Sequence, residues 1–257
     1  MIKAVFFDID GTLLSHKSGQ VPEDTREALG SLREKGILIF TSTGRHILEL
    51  DELPVRDLTF DAYVLLNGQL CLDRERKVLY ASPIPEEDIR RILPRFEGGD
   101  VPVAFVEKDR IYINWIGERV RREQQEISSE LPTVGCYTGN PVYLVNVFEQ
   151  DSVVDNIMEE MPHCKVTRWN SFGTDIISVS GGKVTGMERL LKHFGIAREE
   201  CMAFGDGEND MEMLQFAGIG VAMGNAEDEV KVCADYVTDD IDKGGIRKAL
   251  QHWGLLG

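Results

Sequence analysis

Short apolar runs that each stop at a polar cluster limit this chain more than any other feature. Residues 2–7, Ile37–Phe40, Tyr63–Leu66 and Cys201–Phe204 are such runs, and they stop at Asp8, Thr41, Asn67 and Gly205-Asp206. Continuous apolar stretches of this length read as strands buried on both faces that deliver side chains at their C-terminal ends. Between the first two lies an expected helix over about 22–35, with Pro22 near its first turn, Ala28, Leu29 and Leu32 on one face, and Gly36 as a stop. Strand, helix and strand in that order make a crossover unit of expected right-handed sense.

A hairpin is expected over 70–81, and the pattern then changes. Between about 82 and 180 the strands lengthen and alternate: Val103–Val106 and Ile111–Asn114 meet through a tight Lys108-Asp109 turn, with Val142–Phe148 and Asp175–Val179 later. Helical patterns at about 86–96, 117–130 and 150–160 separate them. Mixed hairpins and helices indicate an α+β insert. After Lys183 the alternation resumes, with Met187, Leu190, Leu191 and Phe194 on one helix face, Gly195 beyond its end, and a further strand at Gly220–Met223. The expected fold is α/β: a Rossmann-like parallel-sheet core from 1–81 and 183–257, interrupted by an inserted α+β domain over 82–182.

Acidic residues outnumber basic ones 44 to 28, for a formal charge of -16, so the surface as a whole repels a nucleic-acid backbone. Any phosphate site must therefore gather positive charge locally, from a metal, a lysine or backbone amides. Cys71, Cys136, Cys164, Cys201 and Cys233 are odd in number and never spaced as CxxC, which argues against zinc and against a disulfide framework and suits a reducing cytoplasm. The N-terminal apolar stretch is too short for a signal peptide and nothing approaches a membrane span, so a soluble, untargeted protein is expected.

Four polar clusters sit where ligands bind in an open α/β sheet, at strand ends or helix starts: Asp8 to Thr12, Thr43 to Arg45, Lys183, and Asp206 to Asp210. Asp8 and Asp10, two apart, share a face if both lie on a strand, and paired carboxylates repel unless a cation or proton intervenes. Asp8, the Asp10 carbonyl and Asp206 make a partial oxygen shell of the kind Mg2+ takes, and these clusters hold no histidine or cysteine for zinc. One carboxylate can attack phosphorus once the ion and Lys183 neutralise the repulsion, and the second can act as acid and base. Thr43 and the amides near Gly44 can hold phosphate oxygens.

Taken alone, each cluster has an ordinary explanation. DxD is a common turn, Lys183 after two glycines is a common surface lysine, and Asn209 and Asp210 suit a helix start. Together and in order they resemble the haloacid dehalogenase superfamily, in its Cof-like branch with a large α/β cap. Phe7-Asp8-Ile9-Asp10-Gly11-Thr12, Ser42-Thr43-Gly44-Arg45, Lys183 and Gly205-Asp206-Gly207-Glu208-Asn209-Asp210 carry the likeness. The resemblance implies Asp8 as nucleophile, Asp10 as acid and base, and Asp206 completing the Mg2+ shell with Asp8 and the Asp10 carbonyl. It further implies Thr43, Gly44, Lys183 and Asn209 as phosphoryl contacts, and Asp210 as a metal or supporting acid. Ser42 stands where that family often has alanine. Arg45 is left between touching substrate and pairing with an acid.

The activity so implied is Mg2+-dependent hydrolysis of a small phosphorylated metabolite, with sugar phosphates the leading class. The alternatives are a phosphotransferase or phosphomutase using the same aspartyl-phosphate, and a non-catalytic phosphate-ligand-binding regulator. A retired site has no need of so costly a set of carboxylates, which weighs against the last. Trp115 and Trp169 are expected in a core, and the five histidines in no ligand pattern.

Overall fold

The first apolar run forms strand β1, Ala4–Phe7, with all four residues buried. In the computed structural model, which describes residues 1–126, 130–167 and 173–257, the chain divides into two units. One comprises Met1–Tyr80 and Gly182–Gly257, the other Ala81–Gly181.

In the first unit β1 leads to helix α1, Glu23–Glu34, whose buried Thr25, Ala28, Leu29 and Leu32 recur at helical spacing and whose first turn carries Glu23 and Asp24 against the helix dipole. Strand β2, Leu38–Ser42, and the short helix α2, Ile47–Glu52, follow. His46 caps α2, its Nδ1 accepting the Leu48 N–H at 3.1 Å while Glu49 Oε2 accepts the His46 N–H at 2.7 Å. Strands β3, Ala62–Leu65, β4, Leu70–Asp73, and β5, Val78–Ala81, complete this half.

The second unit holds α3, Glu86–Gly98, β6, Val103–Glu107, β7, Ile111–Ile113, α4, Glu118–Glu126, and β8, Thr133–Val134. β9, Val142–Val147, α5, Asp151–Glu160, β10, Cys164–Thr167, and β11, Thr174–Ser178, follow. Its sheet runs β10-β11-β9-β6-β7-β8, with antiparallel pairs except β7 with β8. Ile89, Ile92 and Phe96 of α3 pack with Phe105, Val145, Val154 and Ile157 as its core. Buried Asp88 ties α3 to the β10 edge: its Oδ2 accepts the His163 N–H at 3.0 Å and its Oδ1 lies 3.1 Å from His163 Nδ1. Donor atoms of Glu87, Asp88 and His163 lie within 4.8 Å of one another, but Arg91 Nη1 is 3.7 Å from Asp88 and the group sits on the first turn of a helix. Both features disfavour a cation, and the cluster acts as a structural tie.

Trp115 departs from the core expected of it, being 39% exposed. Its ring lies across Gly117, where a Cβ would come within 2.7 Å, so a glycine platform takes the place of a core. Trp169 and the end of the helix expected over 117–130 lie outside the described residues.

The chain re-enters the first unit at α6, Lys183–Phe194, then adds β12, Cys201–Gly205, α7, Met211–Phe216, and β13, Ile219–Ala222. α8, Asp228–Lys231, β14, Tyr236–Val237, and α9, Gly245–His252, end it. The eight strands run β14-β13-β12-β1-β2-β3-β4-β5, parallel from β14 to β3 and antiparallel between β3 and β4. Phe6 and Phe40 from the sheet meet Met187 and Leu190 of α6, while Phe7 stacks on Phe204 with centroids 5.0 Å apart. No helix among the described residues is long and apolar enough to cross a membrane.

α6 lies close on the sheet because residue 186 is glycine. A Cβ there would meet Val64 Cγ1 at 2.4 Å and Cys71 Sγ at 3.3 Å. The same helix carries Lys183 at its start. Gly186→Ala should therefore cost about 1–3 kcal/mol of stability, a fall of several degrees in Tm. Thermal unfolding reads this directly, and an unchanged Tm would mean that the helix can lift without penalty.

Candidate active site

β1 and β12 are neighbours in register, Phe7 beside Phe204, and the chain leaves this pair to opposite sides. That is the topological switch point of the sheet, where strand ends leave a crevice. Asp8 follows β1 directly, and Asp206 follows β12.

Lys183 Nζ donates to Asp8 Oδ1 at 2.8 Å and to Asp210 Oδ1 at 2.5 Å. All three side chains are buried. Burial alone lowers the Lys183 pKa, but the charges and hydrogen bonds of Asp210 and Asp8 together lift it above its ordinary value, so the ammonium stays charged. Burial, and then the Asp210 charge, push the Asp8 pKa well above the usual carboxylate range against the pull of Lys183. Asp210 Oδ2 accepts the N–H groups of Asp206 and Gly207, both at 3.0 Å, which fixes the turn after β12.

Asp206 rests on the first cluster. Thr12 Oγ1 donates to its Oδ1 at 2.7 Å, and a Cβ on Gly11, whose φ is +78°, would lie 2.0 Å from its Oδ2. Only glycine fits there, both for the backbone angle and for the space. Burial and the Asp210 charge push Asp206 up to about 7, with the Thr12 hydrogen bond opposing.

Asp10 is placed otherwise than a shared strand face implies. β1 ends at Phe7, and the N–H groups of Thr12, Leu13 and Leu14 all turn back to the Ile9 carbonyl, so Asp10 lies in a tight turn beyond the strand. Its carboxylate takes a bidentate fork from Arg45, Nε to Oδ2 at 2.7 Å and Nη2 to Oδ1 at 2.8 Å. Arg45 also lies 3.6 Å from Glu49. Thr43 and Gly44 follow β2; Thr43 Oγ1 accepts the Arg45 N–H at 3.2 Å. Asn209 donates from Nδ2 to Asn67 Oδ1 at 3.2 Å.

Asn225 is a participant that the sequence reading omitted. Its Nδ2 donates to the Gly11 carbonyl at 2.9 Å and to Asp206 Oδ2 at 3.2 Å, and its Oδ1 accepts the Ile241 N–H at 3.0 Å. The signal was present, since Asn225 also follows a parallel strand, β13.

Asp8, Asp206 and Asp210 offer oxygen donors within 4.8 Å of one another. An all-carboxylate set in which burial and mutual repulsion raise the pKa of Asp8 and Asp206 suits a hard divalent cation such as Mg2+. The Asp10 side chain is engaged with Arg45; the resemblance assigns the Asp10 carbonyl, and not this carboxylate, to the metal.

The model of the haloacid dehalogenase-like hydrolases matches residues 5–250. The chain belongs to that family. YkrA of Bacillus subtilis (strain 168), whose name marks it as a candidate phosphatase, is 32% identical over 257 residues, covering 99% of this chain and 98% of its own length. The solved structure of the subclass IIB sugar phosphatase BT4131 is 37% identical, with a TM-score of 0.87 over 99% of this chain and 100% of its own. That of the phosphatase BT1666 from Bacteroides thetaiotaomicron is 31% identical, with a TM-score of 0.90 over 100% and 96%. This hydrolase thus has phosphatases as its full-length relatives.

Two stability tests follow from the charges. Between about pH 4 and pH 7 the folded state of the metal-free hydrolase holds a proton on Asp206 that the unfolded chain has released, so the Asp206 contribution to stability falls as pH rises across that window, by at most about 1.4 kcal/mol per pH unit. In chelator, Asp206→Asn should match the wild type at pH 4 and exceed its Tm increasingly toward pH 7; a constant offset would contradict the raised carboxylate. Ser42 Oγ is buried without a hydrogen-bond partner among the described residues. Ser42→Ala should leave Tm equal or higher by up to about 1 kcal/mol of stability, and a lower Tm would reveal a partner for that hydroxyl.

Proposed function

We propose that this hydrolase is a Mg2+-dependent phosphatase acting on a small phosphorylated metabolite, a sugar phosphate foremost, through an aspartyl-phosphate on Asp8. The observation that carries the reading is the buried Lys183 bridging Asp8 and Asp210 beside Asp206 at the switch point. An Asp8 oxygen attacks phosphorus and the ester P–O bond breaks. Asp10 gives its proton to the departing alkoxide, and in the second half takes a proton from the water that attacks phosphorus. Phosphate leaves and Asp8 is restored. Bound Mg2+, held by Asp8, Asp206 and the Asp10 carbonyl, would supply the positive charge that lets a carboxylate approach a phosphate.

To serve as acid and base Asp10 gives up at least one bond to Arg45, so Arg45 acts as its holder. Thr43, the Gly44 amide, Lys183 and Asn209 take the phosphoryl oxygens, and Asp210 supports Lys183 and the turn after β12. The inserted unit, 82–182, is assigned as the cap that selects the substrate. A sugar phosphatase among the solved relatives supports the substrate class, as does a 28% identical Bacillus subtilis relative named 5-amino-6-(5-phospho-D-ribitylamino)uracil phosphatase YcsE. Those substrates share a phosphate on a polyhydroxylated carbon chain.

A panel of phosphate esters assayed with Mg2+, with chelator and with Asp8→Asn tests this. Release of inorganic phosphate should depend on Mg2+ and fall by more than about 10^3-fold in the variant with Tm retained. Comparable turnover in chelator or in Asp8→Asn sinks the mechanism; transfer to an added sugar without phosphate release shifts the reading to a phosphotransferase.

A further inference from the structure

We propose that Asn67 is a positioning residue of the phosphoryl site, orienting the Asn209 amide and bracing the loop after β2. This rests on the reading of Thr43, Gly44, Lys183 and Asn209 as phosphoryl contacts.

The chain turns at the end of β3 through three successive left-handed residues, Leu66 at φ 53°, Asn67 at φ 52° and Gly68 at φ 85°. Such angles cost free energy at asparagine and more at leucine, and persist where surrounding contacts require them. The contacts here reach three of the four polar clusters. Leu66 N–H donates to the Arg45 carbonyl at 3.3 Å and Asn67 N–H to the Thr43 carbonyl at 3.0 Å. The Asn67 amide lies against Gly44, where a Cβ would be 3.2 Å from its Oδ1 and Nδ2. Its Oδ1 accepts from Asn209 Nδ2 at 3.2 Å, which leaves the second hydrogen of that amide group for a phosphoryl oxygen. Gly68 packs on the residue before Lys183, a Cβ there falling 1.9 Å from the Gly182 carbonyl oxygen and 2.8 Å from the Lys183 nitrogen.

Asn67 is 3% exposed, so its amide faces protein and not solvent. A bland reading exists, since asparagine is the residue other than glycine best suited to a left-handed turn. Glycine separates the two. It accepts the backbone angle at least as well and removes the amide.

The experiment compares wild type, Asn67→Gly, Asn67→Ala, Asn209→Ala and Asn67→Gly/Asn209→Ala. It reads Tm, calorimetric binding of inorganic phosphate in the presence of Mg2+, and the KM and kcat for p-nitrophenyl phosphate. Asn67→Gly should hold its Tm while phosphate Kd and KM rise about 3- to 10-fold, and Asn209→Ala should do the same. The double variant should be no worse than Asn209→Ala, because Asn67 acts through the Asn209 amide. Asn67→Ala should add a fall in Tm without a further loss of phosphate binding. Wild-type phosphate binding in Asn67→Gly, or losses that add in the double variant, would overturn the proposal. A wild type that binds phosphate but turns over no ester would sink the phosphatase reading while leaving this one to the binding arm. A wild type that neither binds phosphate nor turns over the ester overturns both.

Discussion

Burying Asp8 and Asp210 next to each other is possible because Lys183 Nζ stands between them. Desolvating two carboxylates is costly unless a cation with good hydrogen-bond geometry accompanies them. Much of the site depends on that ammonium. It draws in Asp210, whose other oxygen holds two amides of the turn that carries Asp206, and Asp206 in turn sits against Gly11 and Thr12 of the turn that carries Asp10. One charge thus organises both turns at the switch point, and a third carboxylate, Asp206, is left for another cation to balance.

Close approach of backbones makes this arrangement possible. Gly186 lets α6 settle on β3 and β4, Gly68 lets the β3 corner touch the start of that helix, and Gly11 admits the Asp206 carboxylate. Each glycine lies at a place where a methyl group would collide with an atom of the charged network or of its supports. Their spacing along the chain gives no hint of this, because the colliding atoms belong to distant segments.

The parallel strands were legible because β1, β2, β3, β12 and β13 are continuous apolar runs, and α6 because Met187, Leu190 and Leu191 recur on one face. The elements that escaped were mostly short and polar in part: β8 and β14 with two residues each, β10 with Lys165 and Thr167, and α2, whose start depends on the His46 cap, together with α8 and α9 beyond the last expected strand. In the site the residue types and their order were readable, since polar groups beyond strand ends stand out. The pairings were not. Whether Arg45 serves an acid or a ligand, and that Asp10 turns toward it, depend on the turn at Ile9 closing after the strand stops. Asn225 and Asn67 went unassigned because a lone asparagine after a strand looks like any turn residue until its partners, on other strands, are in place.

Asp8 and Lys183 lie 175 residues apart, with the whole second unit threaded between them. During synthesis β1, β2 and β3 emerge long before α6, β12 and β13, so the sheet exists first as a half with its central strand β1 open along the edge that β12 later covers. Contacts so remote in sequence close late and slowly. A nascent chain of this protein therefore exposes an apolar strand edge ending in an unneutralised acid until α6 and β12 have been made.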